Sequence, residues 1–340
     1  MEADKLIESI FRAFMFMAGI LGNNWLAVVS LPRKMSEIHT NEVLFINLAV
    51  SNLITNYLVD LPDTAVDFAG RWFLGETYCG IFHFCSDLSE TSSIFTTLFI
   101  SAFWHQKLVG SLRRGGAPVP LDSLHLVGCL LAGSWMLAVA FGVPHYFFAS
   151  LERRNESHES CVQVFPDALS RQTYETTYLT VANVLPLAGI FIASVQIVVT
   201  LLQNQKRILS HNSDPAKQMI KGESESKSIN TISVGIVSDP GTAKELKDSS
   251  SRIHTQVEKS PKHRAGSSPQ ARAAKSVVAV ASMVVVCWLT HLLLRISSNI
   301  HTSSVVLEVA SYVAASYNCI IPYIFLYGVK KMTCSCKTKG

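Results

Sequence analysis

Seven stretches of mostly apolar sequence, near 9–31, 42–62, 79–104, 124–148, 175–203, 275–295 and 303–328, divide this 340-residue chain. No other feature restricts the fold as much. A helix needs about 20 apolar residues, rising about 1.5 Å each, to cross about 30 Å of hydrocarbon. Polar residues interrupt the third and seventh runs. Charged residues make up 16% of the chain, against about 25% in soluble domains, and they bunch between the runs. The pattern predicts an all-α, seven-transmembrane helix bundle.

Loop charge gives an orientation. Arg33 and Lys34 follow the first run, Lys107, Arg113 and Arg114 follow the third, and Lys330, Lys331, Lys337 and Lys339 lie in the tail. The alternate loops carry Asp63, Asp67, Glu76, Glu152, Glu156 and Glu159, together with Arg71, Arg153 and Arg154. Basic residues favour the cytoplasmic side, so the N-terminus is expected outside and the C-terminus inside. The net charge of +4 is then a matter of topology, and nucleic acid is not an expected partner. MEADKLIESI lacks the basic region and small-residue cleavage site of a signal peptide, so the first run is expected to remain as an anchor. Asn155-Glu156-Ser157 is a glycosylation sequon on the expected outer face.

These runs divide the chain into a short extracellular N-terminus (1–8), helices 1 to 5 (9–204), a third cytoplasmic loop (205–272), helices 6 and 7 (273–328) and a cytoplasmic tail (329–340). The loop is rich in Ser, Lys, Glu and Gly, which predicts disorder. It reads either as a tether or as a regulatory segment with Ser260-Pro261 and Ser268-Pro269 as phosphorylation sites. Lys206, Arg207, Arg272 and Lys275 at its ends suit anionic membrane lipid. Cys334 and Cys336, among lysines after the last run, suit S-palmitoylation or stay as cytosolic thiols.

Cys79, Trp135, Cys161 and Pro186 occur in an order that resembles the class A (rhodopsin-like) G-protein-coupled receptors. Gly22-Asn23, Asn47-Leu48-Ala49, Cys287-Trp288 and Pro322 resemble further motifs of that family. The resemblance covers nearly the whole chain apart from the long inner loop. There are departures. Asn52 stands where relatives carry an acid, Ile321 and Phe325 where they carry Asn and Tyr, and Phe103-Trp104-His105 where most carry Asp-Arg-Tyr. The stretch LFISAFWHQKL, the sequon before Cys161 and Leu289-Thr290 in place of a sixth-helix proline resemble the vomeronasal type 1 and fish olfactory class A-related receptors.

The resemblance implies a Cys79–Cys161 disulfide in the oxidising exterior, pinning the outer loop over the bundle. It implies contact with a heterotrimeric G protein around Trp104, His105 and Lys107, and a switch role for Trp288. It implies a chemosensory receptor for an odorant or pheromone-type small molecule. The alternatives are a non-signalling or constitutively regulated receptor-like protein, or a transporter. Cys85, Cys129, Cys287 and Cys319 read as small core residues.

Ionisable residues inside spans are costly and mark function. Asp87 and Glu90 lie roughly 12 and 16 Å below Cys79 along the third helix and share a face, with Thr91 beside them. His291 and Arg295 lie four apart in the sixth helix, above Trp288. Together these six form a candidate ligand site, or alternatively an internal salt-bridge network; Asp60 lines the same mouth or is solvated. Asn23 and Asn52 are expected to share hydrogen bonds, with Asn318 as a third partner and no strong sodium site. Inverted repeats, which mark transporters, are not apparent. The eleven histidines form no His-x-x-x-His pair within a span, so no metal and no zinc hydrolase is expected. Residues 303–328 lack the lysine a retinal Schiff base needs. The chain reads as a receptor without a cofactor, not an enzyme.

Overall fold

The structure is a computed structural model that describes residues 3–32, 34, 37–113, 119–155, 158–212, 269–297 and 316–327. Its helices are α1 (Ala3–Ser30), α2 (Thr40–Thr55), α3 (Leu61–Ala69), α4 (Gly75–Arg113), α5 (Leu124–Phe147), α6 (Ala168–Tyr178), α7 (Leu185–Asn212), α8 (Pro269–Ser297) and α9 (316–327). A π-helical turn, Asn56–Asp60, joins α2 to α3, and another, Leu179–Val184, joins α6 to α7. Merging those pairs gives seven helical segments, one on each apolar run. The helices overrun the boundaries expected at 8, 204 and 273. Gln203, Lys206, Arg207 and Leu209 are good helix formers and carry α7 onward. The rest of the long loop (213–268) and the tail with Cys334 and Cys336 lie outside the described residues.

Among the described residues, four helices are long and apolar enough to cross a membrane by composition: Ser9–Ser30, Thr40–Ala69, Leu124–Phe147 and Ala168–Arg207. The third-run helix α4 is not among them, and its burial explains why. Ser89, Thr91, Ser92, Ser93, Thr96, Thr97 and Ser101 are all buried. Thr97 and Ser101 donate to carbonyls one turn back, Ser93 O and Thr97 O, at 2.9 and 2.8 Å. Others reach α2: Ser51 Oγ meets Ser92 Oγ at 2.7 Å, and Thr55 Oγ1 donates to Ser89 Oγ at 2.9 Å. A helix surrounded by protein has no need of an apolar surface.

Both π turns precede a proline, Pro62 and Pro186. A proline ring has no N–H and crowds the carbonyl four residues back. At the first turn that carbonyl, Leu58 O, accepts from the Tyr78 hydroxyl at 3.2 Å. Gly70, at φ 68°, ends α3 in the left-handed conformation that glycine adopts freely.

Two polar clusters tie the helices together. Asn52 Nδ2 donates to Asn23 Oδ1 at 3.0 Å, Asn23 Nδ2 to Asn318 O at 3.1 Å, and Ser93 Oγ to Asn52 Oδ1 at 2.9 Å. The expected asparagine trio is therefore present, with Asn318 contributing its backbone. Asn47 links three helices: Trp135 Nε1 donates to its Oδ1 at 2.9 Å, and its Nδ2 donates to Thr96 Oγ1 at 2.6 Å. Beside the first cluster, a Cβ on Gly22 would stand 2.7 Å from Pro322 Cγ. Only hydrogen there lets α1 and α9 approach so closely.

Among the described residues, a departure from all-helical structure follows α5. Strands β1 (Ala149–Asn155) and β2 (His158–Gln163) pair antiparallel, with Leu151 opposite Cys161. Cys129 is also unlike its expected core role. It is exposed, on a helix whose Leu126, Met136 and Val139 are exposed too, a surface suited to lipid.

Candidate functional site

The candidate site lies at the end of the bundle that carries the hairpin. Cys79 near the start of α4 and Cys161 of β2 form a disulfide, with Cα atoms 5.6 Å apart. Further bonds anchor the hairpin at Trp72 and brace it internally. Trp72 N donates to Glu159 O at 2.8 Å, Val164 N donates to Phe148 O at 2.7 Å, and Arg153 Nε pairs with Glu159 Oε1 at 2.5 Å.

Two turns below the disulfide, Asp87 Oδ2 is bonded by His145 Nδ1 of α5. Both are buried, at 7% and 1% exposure. Phe165, Tyr174 and Tyr178 surround the imidazole, with ring centroids 5.9, 4.6 and 6.3 Å from it. The Tyr174 hydroxyl in turn bonds Phe141 O.

Asp87 and Glu90 share a face only loosely. Three residues along a helix leave about 60° between side chains. That angle turns Asp87 to α5, whereas Glu90 lies within electrostatic reach of Tyr317 on α9, as does Asp60. Thr91 is fully buried, and its Oγ1 has no hydrogen-bond partner among the described residues. Trp288, His291 and Arg295 lie on the α8 backbone, but their side chains are outside the described residues. The proposed meeting of third- and sixth-helix charges lies there with them. Asn155 stands at the end of β1, and its side chain is likewise outside.

Sequence reasoning missed Arg12. On α1 it bonds Asp63 Oδ2 at 2.8 Å and Asp67 Oδ2 at 3.1 Å. His145 was missed as well. It is an ionisable residue within an apolar run, the same signal that singled out Asp87. Nearby, Asp167 caps α6. Ser170 N donates to its carboxylate at 2.7 Å and Ser170 Oγ at 2.8 Å. Those bonds, the backbone one foremost, hold its pKa below the usual aspartate value.

At the opposite end, Trp104 is 8% exposed and packs edge-on to Phe103, in the hydrophobic core. Its indole Nε1 has no hydrogen-bond partner among the described residues. His105 is half-buried. Lys107 Nζ lies 3.8 Å from Asp122 Oδ1 and 5.0 Å from the Phe103 ring centre.

The profile of the family described as "7 transmembrane receptor (rhodopsin family)" matches residues 23–325. Among curated proteins, the chain is 24% identical over 244 residues to "Neuropeptide Y receptor type 6" of Oryctolagus cuniculus, a match covering 68% of this chain. The chain spans 62% of the length of that relative. It is 26% identical over 189 residues to "C-X-C chemokine receptor type 4-B" of Xenopus laevis, covering 54% of this chain and 50% of that protein. Among solved structures, a crystal structure of squid rhodopsin has the same fold, with a TM-score of 0.66 at 15% identity, covering 100% of this chain and 86% of that one. The chain belongs to the rhodopsin family of seven-transmembrane receptors, a family of multi-pass plasma-membrane proteins rather than enzymes.

Proposed function

We propose that the hairpin end faces outward and receives an extracellular ligand with a basic group. Binding shifts the helices to an arrangement that a heterotrimeric G protein recognises around Trp104, His105 and Lys107. The observation that carries this reading is the placement of two half-buried carboxylates within the helical segments, Asp60 at the π turn before α3 and Glu90 on α4. A cation entering between two carboxylates is favoured by both. A ligand that prefers one arrangement shifts the population by its difference in affinity. The disulfide on the hairpin supports the orientation, since such bonds persist in oxidising surroundings.

The ligand we favour is a basic peptide, because relatives are named for neuropeptide Y and a C-X-C chemokine. A second reading, an odorant or pheromone-type small molecule, rests on the resemblance of LFISAFWHQKL to chemosensory receptors. Under either reading Asn155 carries glycan, Cys334 and Cys336 carry palmitate, and the basic ends of the long loop lie at anionic lipid.

Calcium or cAMP responses of surface-confirmed receptor to basic peptides, small amines, small acids and steroids separate these readings. A response to basic peptides, weakened at least tenfold in Glu90→Gln with surface level unchanged, supports the favoured one. A response confined to small molecules supports the second. A response untouched by Glu90→Gln, Asp60→Asn and Arg295→Gln refutes the site.

A further inference from the structure

We propose that His83 of α4 and His145 of α5 form a binding site for a divalent transition cation of the zinc class, under the hairpin. The argument begins with hydrogen bonds. His145 is almost wholly buried, and its Nδ1 is engaged by Asp87. Its Nε2 is buried without any hydrogen-bond partner among the described residues, and so is Nε2 of His83. A buried polar atom without a partner costs about 1–3 kcal/mol, so two such atoms on neighbouring imidazoles call for an occupant.

The chemistry of the pair names the occupant. A carboxylate on one nitrogen of an imidazole sets the tautomer and leaves the other nitrogen's lone pair available, as in the outer shell of metal-binding histidines. Asp87 does this for His145. Asp87 is also one helical turn from His83, so a single stretch of α4 supplies both a ligand and the group that orients its neighbour. The two ring centres are 6.5 Å apart, with planes inclined by 61°. Two imidazoles on one tetrahedral zinc have ring centres about 5 Å apart, given Zn–N of about 2.0 Å. With His145 held by Asp87, rotation of the half-buried His83 side chain would close that difference.

Thiolates are not part of the site. The Cys79 and Cys161 sulfurs lie within 4.8 Å of a His83 ring nitrogen, but they are joined to each other. Two imidazoles therefore hold the cation, and water completes the tetrahedron. Bound there, the ion links α4 to α5 just below the hairpin and stiffens the end where a ligand arrives.

Thermal unfolding of the purified full-length receptor, with and without zinc chloride, tests this. Zinc is expected to raise the wild-type Tm by about 2 °C or more, reversibly with chelator, and magnesium, which prefers oxygen ligands, is not. The shift should vanish in His83→Gln and in His145→Gln. In Asp87→Asn the zinc concentration needed should rise about 10–100-fold. His83→Gln leaves the His145–Asp87 bond in place, so it decides the matter even where His145→Gln fails to fold. No shift in wild type, an equal shift with magnesium, or a zinc shift that survives His83→Gln overturns the proposal.

Discussion

Asp87 illustrates how one carboxylate takes its meaning from the neighbour it meets. Its sequence position marks it as costly inside a span, but the cost is offset by His145 on the next helix. Asp87→Asn should lower stability by about 1.5–3 kcal/mol, the range for a bond to a charged group, read as a lower Tm in detergent. Gly22 is the opposite case, a residue whose value is its emptiness. Gly22→Val would drive carbon against Pro322 and Tyr323, where a single Cβ already stands at 2.7 Å. Overpacking of this kind costs about 1–3 kcal/mol, and surface expression should fall accordingly. Gly22 was visible in the sequence as half of a motif; its contact with α9 was not.

Among elements, the two π turns show how a span accommodates proline. Tyr78→Phe removes the donor to Leu58 O and should cost about 1 kcal/mol. Hydrogen exchange should then quicken around Asn56–Asp60 while the far half of α2 is unchanged. The start of α6 makes a pH-dependent prediction. Asp167 has a depressed pKa in the folded protein. Its contribution is therefore complete above the unfolded value of about 3.9 and is lost as pH falls through the folded value. Asp167→Ala should accelerate amide exchange at Ser170 at neutral pH, and the difference from wild type should close in acid. The hairpin is the element that the sequence did not announce. Its strands are short and charged, so no alternating apolar pattern marks them.

At the scale of the molecule, the disulfide closes a loop across 82 residues that contains all of α5. Constraining so long a segment in the unfolded chain is worth about 2–5 kcal/mol. Cys79→Ser should reduce the yield of folded receptor at the surface, and Cys161→Ser should do so to the same extent, because either change breaks the same bond. A double variant should be no worse than either single one. Failure of that equality would mean that one cysteine contributes separately.

The sequence by itself determined how many helices there are and nearly where they lie, because the length of an apolar run is a local property and hydrocarbon thickness is constant. It also carried the cysteine pair, Asn23 and Asn52, which sit on motifs at family spacing, and it offered Asn318 as their third partner. Only the tertiary structure decided which polar side chains meet. Helix rotation and axial register choose those partners, and a turn of about 60° suffices to separate Asp87, bonded to His145, from Glu90 on the same helix. The same geometry brought His83 and His145 together from different helices, and it made α4 a buried polar spine. Neither follows from composition, because a serine-rich helix is stable in a membrane protein only where other helices surround it.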